Sequence, residues 1–445
     1  MEMYDLAEKI DDLIAENKSL FVKTEPEVPD FTINSKFKIF LFNKNKKLQI
    51  EISPDNILKI VGLFDATIFD KDLIERVYFW NIKSFASYFL YFSKKYLNIK
   101  SNIIDLKVIE GFLGIKKNAP ETFYECIDRI KRSVECKAWQ SIYKSIHLPL
   151  SLETLPSIET SPLLNEESRR TEFPYYEIEG QNNGRMNCLR KFSKSYLPHN
   201  MGPEIKNVLK PKGYESIFLC SDFRHCEVTV LQWLSKDEKL QEILNSGKDL
   251  YEIIYEEITG DQCNSENKRN LSKKMFLPVM YGCGSSGLSK NLNIQESAAT
   301  ELIIRIKKRF HTSYDWMQSN QEQAKKGKIS DYFGRPRNIE INQSYLARNF
   351  CVQGVAATAC QEKLIMLNRE LDKEKSYIVF SIHDGFGLVC KIKNASETYK
   401  IIKEVCEKES NICTGLKMKV EVKFGKKLNQ MKVISKKQKG DICKH

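Results

Sequence analysis

Two acidic residues each end a strand-like run: Asp222 follows ESIFLCS, and Asp384 sits inside YIVFSIHDGFGLVCKI. The second run reads as a β-hairpin, because an apolar run, a turn carrying Asp384-Gly385 and another apolar run follow one another directly. Two strand-borne carboxylates brought together make a site for divalent metal. Two such ions flanking a phosphoryl group activate the attacking oxygen and stabilise the leaving one, which is the chemistry of nucleotidyl transfer. Between the two acids lies KRNLSKKMFLPVMYGCGSSGLSKNL. Spacing of four sets Arg269, Lys273, Leu277 and Tyr281 on one helical face, so two cations and one ring can meet a triphosphate that carries a base. A solvated basic helix with a core tyrosine would show the same spacing. Pro278 removes one backbone hydrogen bond and predicts a kink in that helix.

These residues need elements to hold them. The stretch from about 236 to 330 is mostly helical by its apolar spacing, and strand-like segments lie on either side of it. A helical insertion therefore separates two halves of a sheet domain, and the two acids lie in the sheet halves. Gly282-Cys283-Gly284-Ser285-Ser286-Gly287 matches GxGxxG, but a helix precedes it where a dinucleotide fingerprint needs a strand. The glycines are expected to end one helix and begin the next. Upstream, residues 1 to about 30 read as a helix and linker, and FKIFLFNKNKKLQIEI as strand, turn and strand. The segments ERVYFWNIKSFASYFLYFSKKYL and APETFYECIDRIKRSVECKAWQSIYKSI read as helices. Pro, Ser, Thr and Glu accumulate over 148–170, where a boundary is expected.

Forty-two per cent apolar residues over 445 positions suit an ordinary soluble protein with more than one core. A net charge of +12, spread over many lysines, points to an anionic polymer as partner, although AT-rich coding also enriches Lys, Asn and Ile. No apolar run approaches the roughly 18 residues of a membrane span, so an intracellular, soluble protein is expected. Thirteen cysteines without paired spacing, among them Cys220, Cys226, Cys351 and Cys360 in apolar patterns, read as reduced core thiols.

Taken in order over roughly residues 180–425, these segments resemble the family A DNA polymerases, typified by bacterial polymerase I and many phage replicases. SDFRHCEVTVLQWLSKD resembles motif A, which implies Asp222 as the first metal ligand and Glu227 as the steric gate against a ribose 2′-hydroxyl. Arg269 to Tyr281 resembles the O helix of the fingers, implying that Arg269 and Lys273 hold the triphosphate and that Tyr281 stacks near the templating pair. NFCVQGVAATACQ resembles the segment that lays Asn349 and Gln353 in the minor groove. SIHDGFGLVCK resembles motif C, with His383 near the primer end and Asp384 as the second metal ligand. NNGRMN resembles the family's TGRLSS and implies that Arg185 contacts the primer terminus. The implied fold is mixed α/β: a right-hand palm with an antiparallel sheet and helical fingers. The implied activity is template-directed extension of a primer by dNTPs with two Mg²⁺.

The chain departs from the family pattern at Thr229 for Arg, Leu277 for an aromatic residue, Pro278 for Gly, and Gly385 for a second acidic residue. The N-terminal part resembles, more thinly, the family's ribonuclease H-like proofreading exonuclease domain, through WNIKSFASYF and NIIDLKVIEGFLG. No DxE precedes these, and Ala86 and Ser87 stand about where a metal-binding Asp belongs, which leaves Asp105 alone and implies a fold without nuclease activity. The expected division is 1–147 exonuclease-like, 148–170 linker and reduced thumb, and 171–445 polymerase, with palm at 171–235 and 336–445 and fingers at 236–335. A short thumb implies low processivity, and whether a processivity factor, helicase or primase works beside the chain stays open. Two other readings remain: a single-subunit RNA polymerase or mixed-sugar polymerase, against which Glu227 argues, and a non-catalytic accessory that binds nucleic acid.

Overall fold

The computed structural model describes residues 215–434 without a break. Before them it describes separate stretches, chiefly 19–25, 37–42, 47–53, 76–93, 103–105, 143–159 and short pieces between 161 and 211. The chain divides into two compact units, one formed by residues 1–222, 360–405 and 421–445, the other by 223–359 and 406–420.

In the first unit, β1 (Ser19–Glu25), β2 (Phe37–Phe42) and β3 (Lys47–Ile52) form an antiparallel meander. In β3, Ile50 and Ile52 are buried while Gln49 and Glu51 face solvent, the alternation of a sheet with one covered face. β4 (Arg76–Trp80) lies parallel to β1, and β5 (Ile103–Asp105) parallel to β4, giving the order β3-β2-β1-β4-β5. Helix α1 (Ile82–Ser93) lies in the chain between β4 and β5, as a parallel pair requires a crossover. Two expectations are corrected here. Residues 19–25 are a strand rather than linker, and the segment that starts at Glu75 enters as strand β4 before turning helical at Ile82. The expected helix over APETFYECIDRI lies outside the described residues.

Parts of the stretch expected to be linker and reduced thumb are described. Residues 143–159 are helical, and β6 (Leu163–Asn165) and β7 (Arg170–Glu172) pair with each other, with β10 (Leu209–Lys210) on the far side of β6. A short hairpin of β8 (Tyr176–Glu177) and β9 (Asn187–Cys188) carries Arg185 in its connection. His147 and Glu179 form a buried pair at 3.0 Å.

From β11 (Ser216–Phe223) the chain passes into helices α2 (Cys226–Ser235), α3 (Glu238–Asn245), α4 (Leu250–Thr259), α5 (Glu266–Met280), α6 (Ser285–Leu292), α7 (Glu296–Arg309) and α8 (His311–Ala324). A hairpin of β12 (Lys328–Ser330) and β13 (Pro336–Asn338) and the long α9 (Leu346–Glu370) follow. Then β14 (Ser376–Ile382), β15 (Gly385–Lys391), α10 (Ala395–Glu407), β16 (Val420–Gly425) and β17 (Lys432–Val433) return to the sheet. The sheet order is β14-β15-β11-β16-β17, so the strand before the helical insertion lies between strands that come after it. Leu163, Leu209, Phe218, Val379, Phe380 and Val389 pack together as a buried cluster in this unit. The ring of Phe380 lies over Gly387, where a Cβ would collide with it, and the β14–β15 register shifts between Ile378 and Phe380.

Candidate active site

Antiparallel pairing of β11 with β15 sets Asp222 opposite Gly385, the residue next to Asp384. Pairing of β14 with β15 sets Ile382 opposite Gly385, so the tight turn consists of His383 and Asp384. His383 takes the left-handed conformation, φ 47°, that such a turn demands. Gly385 therefore serves a purpose other than the turn expected from the sequence. It lets two strands meet at the acids, since a Cβ there would lie 2.7 Å from the Ser221 carbonyl oxygen and 3.4 Å from Asp222 Oδ1. Asp222 and His383 are exposed and Asp384 half-buried, so the carboxylates sit at a solvent-facing corner of an otherwise apolar sheet. Carboxylate oxygens are the donor type that suits Mg²⁺, a hard cation that keeps waters and phosphate oxygens among its ligands.

β14 is an edge strand, and one side chain closes part of its open ladder. The buried Tyr176 hydroxyl donates to the Ser381 carbonyl at 2.9 Å and accepts from the Ser381 N–H at 2.8 Å. This contact ties the hairpin that carries Arg185 to the strand leading into His383 and Asp384. Nothing local to Tyr176 announces it, because the partners are 205 residues apart.

The second unit gathers the remaining residues. Glu227 is in the first turn of α2, and the Tyr281 hydroxyl donates to its Oε2 at 2.5 Å. Gln353, on α9, donates through Nε2 to Glu227 Oε1 at 3.0 Å. Asn349 stands one helical turn before Gln353, half-buried. Lys273 is exposed on α5. Arg269 reaches Asp249 Oδ2 at 2.9 Å and Glu266 at 3.4 Å. Burial alone would raise the Asp249 carboxyl, but the Arg269 guanidinium and the amides of Tyr251 and Glu252 hold it below the ordinary Asp range. Asp249 thus caps α4 and anchors Arg269 at once, a double duty that sequence reading missed although LysAspLeu before an apolar run is a cap signal. His225 is left-handed at φ 52° ahead of α2; burial holds its imidazole below the ordinary His range, and Arg269, Arg224 and Lys273 act in the same sense against the pull of Asp249.

Helix α5 continues through Pro278 for two residues, and Tyr281 caps it with its N–H on Leu277 O at 2.9 Å. Gly282 then takes φ 96° and Gly284 stands as the residue before α6, so the glycines end one helix and start another as expected. Cys226, Cys351 and Cys360 are buried and in no disulfide, and Cys220 is half-buried and in no disulfide. Burial pushes the Cys220 and Cys351 thiols up to about 12.

DNA polymerase I of Bacillus caldotenax is 24% identical to the chain over 238 residues, which is 49% of this chain and 26% of that protein. The Streptococcus pneumoniae enzyme of the same name is 27% identical over 232 residues, 48% of this chain and 26% of its own length. That of Helicobacter pylori is 24% identical over 364 residues, 74% of this chain and 40% of its own length. The chain thus spans between about a quarter and two-fifths of these relatives. Among solved structures, the POL domain of Pol1 from M. smegmatis in complex with DNA primer-template and dNTP superposes with a TM-score of 0.76, over 96% of this chain and 99% of that one. At 12% identity that is a likeness of fold. The model of DNA polymerase family A matches residues 191–430, a span that holds every residue of both clusters above except Arg185 and Tyr176. With more than half of its length matched in this way, the chain belongs to DNA polymerase family A.

Proposed function

We propose that this chain is a template-directed DNA polymerase that adds dNTPs to a primer 3′-hydroxyl. The observation that carries this reading is the pairing of Asp222 opposite Gly385, which puts two carboxylates from separate halves of the sequence at one corner of a sheet. Asp222 and Asp384 would hold two Mg²⁺, which supply activation of the attacking oxygen and stabilisation of the leaving one. Arg269 and Lys273 bind the triphosphate, Arg269 already oriented by Asp249. Tyr281 stacks near the templating pair, and Glu227 excludes the ribose 2′-hydroxyl. Arg185, His383, Asn349 and Gln353 contact the primer and the minor groove, as few polar contacts suffice for a protein that must accept every sequence. Primer-template DNA and dNTP, the ligands named for the M. smegmatis domain, are the proposed ligands here.

The strand order of the first sheet, antiparallel at β1–β3 and parallel at β1, β4 and β5, supports a ribonuclease H-like domain. Among its described residues the buried carboxylate is Asp105, which accepts from the backbone amides of Asn81, Ile82, Lys107 and Val108. Strand β1 carries Lys23, paired with Trp80, and ends at Glu25, so it holds no DxE. We therefore read this domain as lacking proofreading activity, and the short segment 148–170 as a linker and reduced thumb that gives low processivity.

The test is extension of a labelled primer on a DNA template with dNTPs or rNTPs and Mg²⁺, beside Asp384→Ala, with binding to primer-template as control. Extension is expected with dNTPs, in short runs under single-encounter conditions. In the variant it falls by about a thousandfold, the rate equivalent of the several kcal/mol that metal-assisted stabilisation contributes. Unchanged extension by the Ala variant, or none by the parent while it still binds DNA, would reject the reading.

A further inference from the structure

We infer that Gln353 is a positioning residue for sugar selection, acting through Glu227; this rests on the polymerase reading above. On α5, Leu277 is half-buried and offers an aliphatic branch where an aromatic ring would lie flat against a sugar. Selection against the 2′-hydroxyl therefore falls more heavily on the Glu227 carboxylate, and what holds that carboxylate matters. Its two oxygens have donors from two different elements: Tyr281 at the end of α5 on Oε2, at 2.5 Å, and Gln353 in α9 on Oε1, at 3.0 Å. One donor would leave the carboxylate free to swing about the remaining bond. Two donors on opposite oxygens fix its plane.

A fixed carboxylate obstructs a 2′-hydroxyl, whereas a loose one can turn a lone pair toward it and accept a hydrogen bond from it. The same group is then a barrier in one setting and a ligand for the ribonucleotide in the other. Tyr281 is itself well supported. Buried Arg348 donates to the carbonyl of Met280, the preceding residue, at 3.3 Å, and is held by Gln318, by Gln321 at 2.7 Å and by the face of Tyr314 at 4.9 Å. Gln353 is the second support, and a donorless side chain of similar volume removes its bond to Glu227 while leaving that of Tyr281.

The experiment measures kcat/KM for single insertion of a dNTP and the matching rNTP by the full chain and by Gln353→Leu, Glu227→Ala and the double variant. Gln353→Leu should lower the dNTP-to-rNTP ratio by at least tenfold, about 1.4 kcal/mol. In the Glu227→Ala background it should change the ratio by less than twofold, since the group it positions is gone. Gln353→Lys, which restores a donor, should recover most of the ratio. An equal fall for both nucleotides, with the ratio unchanged, would mean that Gln353 acts only on the duplex and would overturn the inference. If Gln353→Leu extends too slowly to measure, the nucleotide preference of ternary complexes on a dideoxy-terminated primer decides it in the same way. A parent chain that inserts neither nucleotide fails the polymerase reading instead, a separate outcome from an unchanged ratio.

Discussion

A side chain at position 385 would place its Cβ 2.7 Å from Ser221 O and 3.4 Å from Asp222 Oδ1. The family pattern invites a second acidic residue there, but this backbone has no room for one. Gly385→Glu must push β11 and β15 apart at the acids, and it adds a like charge beside Asp222. We expect a stability loss of about 1–3 kcal/mol, read from the denaturant midpoint, and a slower rather than faster insertion rate. A rate gain at unchanged stability would show that the strands can part without cost. The acids themselves were legible in the sequence, because a strand-like run ending in Asp and an apolar-turn-apolar pattern are both local signals. Asp249 and Tyr176 were not, since the contacts that give them meaning reach Arg269 and Ser381, far along the chain.

The hairpin of β12 and β13 holds a buried ion pair within itself and packs against the first half of α9 through Ile329, Ala347, Phe350 and Cys351. Asp331 and Arg335, both fully buried, pair with each other, and Asp331 Oδ1 also accepts from the N–H groups of Phe333 at 3.0 Å and Arg335 at 2.9 Å. Gly354 leaves space for this pair: a Cβ there would meet the Asp331 carboxylate and lie 3.1 Å from Arg335 Nη1. Gly354→Ala should therefore destabilise the chain by about 3–5 kcal/mol, as breaking a buried pair does, and shift the denaturant midpoint accordingly. Because Gln353 is the adjacent residue, sugar selection should weaken in the same variant; a midpoint within error of the parent would count against the packing argument. Elements were read well where periodicity was clean, as in α5 and the β2–β3 hairpin. They were misread at β1 and β4, because Lys23 and Glu25 look solvated in SLFVKTE and the aromatic run in RVYFW passes without a break into a helix.

At the scale of the whole molecule, the N-terminal sheet that we propose to be nuclease-like uses a buried carboxylate to join its own elements. That carboxylate is Asp105. Its Oδ1 accepts from the N–H groups of Asn81 at 3.2 Å, Lys107 at 3.1 Å and Val108 at 3.4 Å, and its Oδ2 from Ile82 at 3.0 Å. The side chain so bridges the start of α1 to the helical turn after β5, joining the C-terminal ends of two parallel strands. Burial raises the carboxyl above the ordinary Asp range, against the pull of those amides. A carboxylate whose oxygens already serve four amides is a poor ligand for a metal that needs several. Among the described residues, no group of three or more His, Cys, Asp or Glu side chains is arranged to hold an ion, and no helix is long and apolar enough to cross a membrane. Asp105→Asn keeps the shape and one good acceptor but makes the other oxygen position a donor facing an amide. The expected cost is about 1–3 kcal/mol, seen as a lower melting temperature. Neither parent nor variant should shorten a primer from its 3′ end with Mg²⁺ present, and extension should persist below the melting transition. Mg²⁺-dependent 3′ shortening by the parent, lost in Asp105→Asn, would instead make Asp105 a metal ligand and return proofreading to this domain.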